Sequence, residues 1–408
     1  MWETLRISSP IVFFRHHQDI ILKGLKILLL IFLIYNAIQE IMLLVKALYG
    51  TNIWFSDFFA IWSYANFTVS RQPINIYNNL AIQEMEFDLG GDPSRMAPCF
   101  YPPSFLMYIA PIGILSFYKA FALWVAISLG LYLFASIYKQ LRRPYAILII
   151  ILAPATMVGI ITGQTGLLAS ALMVGGFQLV RPRPVLAGIV FGLASFKPQF
   201  GLLIPIALIS AREWKTLFSA ILTVFALVVV SGIAFGWPIW LRWLAKLPEH
   251  GPWVAHLNER FQPTIFANLS SLGVNTSTAW IVQVIAAIVV AVLIWVCFRR
   301  GVTNQNTAAL FVGTFLATPY AFVYDMQMLT NAVLYFPRRG SRTPGLLTAA
   351  ETLTRVSVLL LPNMMAISYK LSMIRSIPLI IFFGLIVWRI LRSRRQSGNR
   401  GYALEGRA

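Results

Sequence analysis

The chain has 408 residues, of which 58% are hydrophobic and 12% charged, and a formal net charge of +19. Its mean hydropathy is +0.73, which excludes a soluble globular domain and places the chain in a membrane. The positive charges sit in short segments between apolar runs and in the tail, a positive-inside pattern that accounts for them without a nucleic-acid partner.

Residues 1–26 are basic and amphipathic and are expected in the cytoplasm. Residues 27–48 are apolar and cross outward, since about 20 such residues suffice. No small-residue cleavage signature follows, so the run reads as a retained span and not a removed signal peptide. The first outer segment, residues 49–103, carries Asp57, Glu84, Glu86, Asp88 and Asp92 against only Arg71 and Arg95. That acid excess puts it on the far side of the membrane. Helices are predicted over 57–69 and 80–87, with a break at Gly90-Gly91-Asp92-Pro93. Tyr101-Pro102-Pro103 launches an apolar run, 104–115, that is too short to cross and reads as an interfacial or re-entrant helix.

Residues 118–138 return to the basic turn 139–143. Residues 145–161 go out and 167–180 come back, joined by Thr162-Gly163-Gln164-Thr165-Gly166. Arg181-Pro182-Arg183-Pro184 is an inner turn. Residues 185–196 and 200–210 form a hairpin around Lys197-Pro198-Gln199, followed by an inner loop with Arg212, Glu213 and Lys215. Residues 217–235 lead to a second outer segment, 236–277, rich in Trp, Pro and His. The runs 278–298, 308–319, 325–336, 346–361 and 374–391 then alternate, with Arg299-Arg300 and Arg338-Arg339 inside and a basic tail, 392–408. The fold class is an all-α polytopic membrane protein of about twelve transmembrane helices, with both ends cytoplasmic and helical outer loops. Residues 27–391 form a single transmembrane domain. Cys99 lies outside and Cys297 near the inner end of a span, which argues against a disulfide.

Under this topology Asp57, Gly163-Gln164, Lys197-Pro198-Gln199 and Tyr324-Asp325 converge on the outer face, with His250, His256, Glu259 and Arg260 added by the second outer segment. Ionisable groups near membrane depth are costly and are read first as functional. Asp57, in Ser56-Asp57-Phe58-Phe59, suits a general base; the competing role is a helix N-cap. Lys197 suits a phosphate contact; the competing role is a lysine snorkelling to the surface. Gln164 is a tight turn by default and a binding residue by extension. Asp325 orients a sugar, pairs with Lys197, or is a solvated loop acid. The outer aromatics, Trp54, Tyr101 and Trp253 among them, serve sugar stacking or the interfacial belt alike. No Walker loop, dinucleotide fingerprint, HExxH or Asp-x-Asp pair occurs, which argues against a metal and a nucleotide-sugar donor.

The order Asp57-Phe58, Tyr101-Pro102-Pro103, Gly163-Gln164, Lys197-Pro198, and Pro319-Tyr320 with Tyr324-Asp325 resembles glycosyltransferase family 87 over residues 27–336. The resemblance implies a GT-C-type enzyme of the bacterial plasma membrane using a polyprenyl-phosphate sugar, with mannose the family's typical cargo. It implies no cofactor, a lipid or glycan acceptor, and an extracytoplasmic active site. Asp57 would be the catalytic base of an inverting transfer. Lys197, Arg260 and His256 would meet the donor phosphate, and Gln164, Tyr101, Tyr324 and Asp325 the substrates. The chain departs from the mannosyl branch at Tyr324-Asp325, where members often carry histidine. The competing classes are a flippase of polyprenyl-linked saccharides, which needs a central polar path, and a non-catalytic scaffold, which does not need Asp57.

Overall fold

The computed structural model describes residues 10–49, 57–92, 97–256, 259–336, 345–367 and 374–405. Helices dominate, and no strand occurs among the described residues. The chain opens with α1 (Pro10–Tyr49). The first outer segment holds α2 (Phe58–Ser70), α3 (Asn79–Asp88) and α4 (Pro103–Ile109), which runs into a 3-10 turn. Then come α5 (Phe117–Ile137), α6 (Pro144–Leu152), α7 (Pro154–Thr162) and α8 (Gly166–Leu179). The hairpin comprises α9 (Pro184–Leu193), α10 (Pro198–Gly201) and α11 (Leu203–Ser210). Beyond it lie α12 (Trp214–Phe235), α13 (Pro238–His256), α14 (Ile265–Ser271), α15 (Thr276–Phe298), α16 (Asn304–Ala317), α17 (Gln327–Tyr335), α18 (Gly345–Leu359), α19 (Leu361–Ile367) and a closing helix, Ile377–Glu405.

Among the described residues, four helices are long and apolar enough to cross a membrane: Gly24–Lys46 within α1, α5, α12 and α15. A fifth span arises if α6 and α7, bent by 40°, count as one. Pro154 causes the bend, because its ring removes a backbone donor from the ladder. Thr156 donates its hydroxyl to the carbonyl of Ile150 at 2.8 Å, supplying a partner across the break. The expected count of about twelve crossings is not reached by this measure. The remaining apolar runs are cut short. α16 has 14 residues, about 21 Å of helix against a hydrocarbon core of about 30 Å. From Asn306 to Ala317 it is buried on every side, so it forms the centre of the bundle and not a lipid-facing span.

The run 104–115 folds as α4 and its 3-10 turn, packed under α2, in keeping with a segment that does not cross. The outer helices fall close to their predicted positions. Cys99 and Cys297 are both buried and form no disulfide.

The basic turns gather at one end of the bundle. Tyr145, at the start of α6, donates to the carbonyl of Lys26 at 3.3 Å. Gly301 sits so near Arg181 that an added Cβ would lie 2.9 Å from its guanidinium. Arg142, Arg143, Arg183 and Arg299 are exposed in the same turns. All lie at the helix ends away from Asp57, Gln164 and Lys197.

α9 and α12 make the closest helix pair. Gly188 and Gly192, four residues apart on α9, face Thr216, Ser219 and Thr223 of α12. A Cβ on Gly188 would lie 2.4 Å from the carbonyl oxygen of Thr216. Small residues at this spacing let helix backbones approach in lipid. Gly188→Ile should therefore destabilise the protein by about 1–3 kcal/mol. The check is the thermal midpoint in detergent, which Ile189→Ala, on the exposed side of the same turn, should leave unchanged.

Candidate functional site

Asp57 occupies the N-cap position of α2, yet its side chain makes no capping hydrogen bond. It is hydrogen-bonded to Gln164 instead. The residue as a whole is exposed, while protein surrounds its carboxyl. Desolvation pushes its pKa above the usual carboxylate value, and the Gln164 hydrogen bond partly opposes the rise by steadying the charged form.

Gln164 is held from its other end. Its Oε1 accepts from the Tyr101 hydroxyl at 3.4 Å, which leaves the amide N–H groups for Asp57. Tyr101 also shares a 3.1 Å hydrogen bond with Thr165. Burial raises the Tyr101 pKa strongly, so its hydroxyl keeps its proton and can donate. The Tyr101 ring stacks on Phe105 at 4.2 Å, and Tyr77 donates to its carbonyl at 2.8 Å. The preceding loop is tied down by Glu86, which accepts from the Ala97 N–H at 3.2 Å and from Ser63 at 3.3 Å. Burial pushes the Glu86 carboxyl up to about 7.

Loop geometry brings these groups together. Gly163 closes α7 in the left-handed region, with φ of 59°. A Cβ there would lie 2.7 Å from Cβ of Phe58. Its carbonyl accepts from the Trp124 indole at 2.8 Å. At Gly166 an added Cβ would lie 1.7 Å from the carbonyl oxygen of Tyr324. The loop between α7 and α8 thus touches the Asp57-Phe58 corner on one side and the Tyr324-Asp325 turn on the other.

Lys197 precedes Pro198, so its backbone leaves the helical region, with φ of −119° and ψ of 75°. The resulting break turns its side chain inward, where it is 5% exposed and paired with Asp325, itself 2% exposed. The other carboxylate oxygen of Asp325 accepts from the Phe322 N–H at 3.1 Å. The Lys197 ammonium lies 5.5 Å from the Phe200 ring and 5.4 Å from the Tyr324 ring. Lys197 does not snorkel to the surface, and Asp325 is not a solvated loop acid. The charges of Asp57 and Asp325 both act on Tyr101 and Tyr324, so the two acids border the same tyrosines.

The remaining expected residues lie elsewhere or outside the described set. Arg260 donates to the carbonyl oxygens of Met365 and Ala366, fastening its segment to α19. His256 ends α13, but its side chain, like that of Glu259, lies outside the described residues, as do Trp54 and Ser56. His250 packs between Phe100 at 4.6 Å and Tyr320 at 4.4 Å. Burial pushes its pKa down to about 4, so at neutral pH it is an uncharged ring and a poor phosphate partner. No group of three or more metal-ligating side chains occurs among the described residues. Two supporting residues were not anticipated from sequence. Thr165 holds Tyr101, and Gln327 donates to the Tyr324 carbonyl at 2.9 Å. A glutamine heading a buried helix just after Tyr324-Asp325 was the available signal for the second.

The buried pair yields a test of its own. Lys197→Ala strands the Asp325 carboxylate and should cost about 3–5 kcal/mol of stability, whereas replacing both partners by apolar residues should cost far less. The measurement is the thermal midpoint of Lys197→Ala against Lys197→Met combined with Asp325→Leu.

A family model described as glycosyltransferase family 87 matches residues 100–323, more than half of the chain. Tyr101, Gln164 and Lys197 fall within the match; Asp57 and Asp325 lie outside it and join through the contacts just described. Neither a curated protein nor a solved structure matches the chain.

Proposed function

The chain belongs to glycosyltransferase family 87, and on that premise we propose that it moves a hexose, of the mannose type, from a polyprenyl-phosphate sugar to a lipid or glycan acceptor. The membrane-embedded helices suit a donor whose tail stays in the bilayer. The exposed arginine turns lie at the helix ends away from Asp57, which by the positive-inside pattern supports an extracytoplasmic site in a bacterial plasma membrane with cytoplasmic termini. Further spans of broken and short helices, in a GT-C-like arrangement, complete this reading.

Asp57 acts as general base. It accepts the proton of the acceptor hydroxyl as that oxygen attacks the anomeric carbon. The bond from the anomeric carbon to the phosphate oxygen breaks from the opposite face, polyprenyl phosphate leaves, and the configuration inverts. Gln164 orients the carboxylate through its amide, and Tyr101 orients Gln164. Lys197, beside the Tyr324 ring, meets the leaving phosphate with ammonium donors while Asp325 balances its charge. Its other donors remain beside the one taken by Asp325. The observation that carries this reading is the N-cap acid that does not cap. A carboxylate used only for helix capping would bind the backbone N–H groups of α2; this one is turned to Gln164.

The experiment is incubation of purified protein with labelled polyprenyl-phosphate sugars and an acceptor library. Asp57→Asn should lose roughly 10²–10⁴-fold of transfer at normal membrane abundance; full activity in that variant would remove the base assignment, and no transfer by the unaltered protein would favour a flippase or scaffold. The rate depends on ionised Asp57, so kcat/KM should fall as pH drops through a value above the ordinary aspartate range. Gln164→Ala removes a donor from the carboxylate and raises its pKa further. Its acid limb should therefore move to higher pH, and a limb that stays in place would count against the pairing.

A further inference from the structure

Helix α13 has three faces. Ile239, Trp243 and His250 pack inward, and Trp243 donates its indole N–H to the Phe100 carbonyl at 3.1 Å. Leu241, Leu244 and Leu247, with Trp237 just before the helix, are exposed along a second face. This stripe continues from Val230 and Ile233, which are exposed at the end of the spanning helix α12. Apolar side chains at helical spacing, turned away from the protein and continuous with a span, fit a helix lying in the membrane interface.

The third face carries Arg242, Ala245, Lys246 and Glu249. Together with Tyr77 and Asn78 of the first outer segment it lines an open cavity of about 280 Å³. Lys246 is 6% exposed, donates to Oδ1 of Asn79 at 2.7 Å and pairs with Glu249, so those two charges cancel. Arg242 donates to the neutral Oδ1 of Asn75 at 3.0 Å, and no carboxylate pairs with it among the described residues. The cavity therefore holds one surplus positive charge on a side chain able to grip two oxygens at once. Phe100, behind this wall, sits beside the Lys246 ammonium at 6.0 Å and is the chain neighbour of Tyr101.

We propose that this cavity binds the phosphate of a membrane lipid's headgroup, with the lipid's tails lying along the apolar stripe of α13. The Arg242 guanidinium and the Asn78 amide match a phosphate diester and its polar substituent, and the adjoining stripe matches acyl chains. Tyr77 of the lining donates to the Tyr101 carbonyl, and Tyr101 in turn holds Gln164, which links the cavity to the Gln164–Asp57 pair. Its role as an acceptor site rests on the transferase reading; the lipid binding itself does not.

The test uses full-length protein in phosphatidylcholine nanodiscs doped with phosphatidylglycerol bearing a photoreactive headgroup. Adducts should map to peptides containing Tyr77 to Asn79 or Arg242 to Glu249. Arg242→Gln should lower their yield at least fivefold, and Arg242→Lys, which keeps the charge but loses the two-pronged grip, should lower it less. Unlabelled phosphatidylglycerol should compete, and phosphatidylcholine should not. Adducts absent from these peptides, or unchanged in Arg242→Gln, would overturn the site. Competition by inorganic phosphate at the same concentration as the lipid would overturn the lipid assignment in favour of a free anion. Crosslinking needs no turnover, so a protein that transfers no sugar would still pass or fail this test on its own terms.

Discussion

Two glycines let one loop touch two distant segments at once. At Gly163 the backbone lies against Phe58, and at Gly166 it lies against the Tyr324 carbonyl, close enough that any Cβ would collide. The loop between them is only Gln164-Thr165, and both of its side chains hydrogen-bond the Tyr101 hydroxyl. Residues from four separate parts of the chain thus meet around one short turn. The rest of the site follows. Asp57 finds an amide partner because Gln164 is fixed, and Gln164 is fixed because the glycines bring its loop so near.

Below this turn the structure pairs charge in a dry place. The Lys197–Asp325 bridge sits almost out of reach of water, and isolated ions of either sign would be expensive there. The pair joins the break between α9 and α10 to the turn that carries Tyr324. Rings of Phe200 and Tyr324 cover the ammonium. Asp57, by contrast, is exposed as a whole residue. The two acids therefore differ in kind. One is locked in a neutralised pair, while the other carries a raised pKa and a single identified amide partner, as a base needs.

Local features were readable in the sequence. The outer helices, the proline break beside Lys197 and the gathering of the basic turns at one end follow from residue type and short-range spacing. Asp57 stood out as an acid just beyond the first span. The contacts between segments did not follow, because they depend on closeness in space. Nothing near Gly163 or Gly166 in the chain announces Phe58 or Tyr324. Lys197 and Asp325 could each have been a surface charge until their burial was seen. The count of spans was not legible for another reason. Hydropathy does not separate a helix facing lipid from one packed inside the bundle, and α16 is apolar because it is central. The glycines of α9, four apart, were legible as a pattern, but only the approach of α12 gives that pattern a purpose.

The lysine-aspartate bridge also has a history in time. Its partners are separated by 128 positions, and synthesis runs at roughly 5–20 residues per second. For about ten seconds during biogenesis the ammonium has emerged while its counter-ion is still unmade. A lone charge of that kind resists settling into hydrocarbon, so the α9–α11 hairpin must wait at the aqueous boundary, or in the insertion machinery, until the later helices arrive. The end of the bundle that holds this pair is then sealed late, and a nascent chain halted before residue 325 is left with an unpaired lysine in its hairpin.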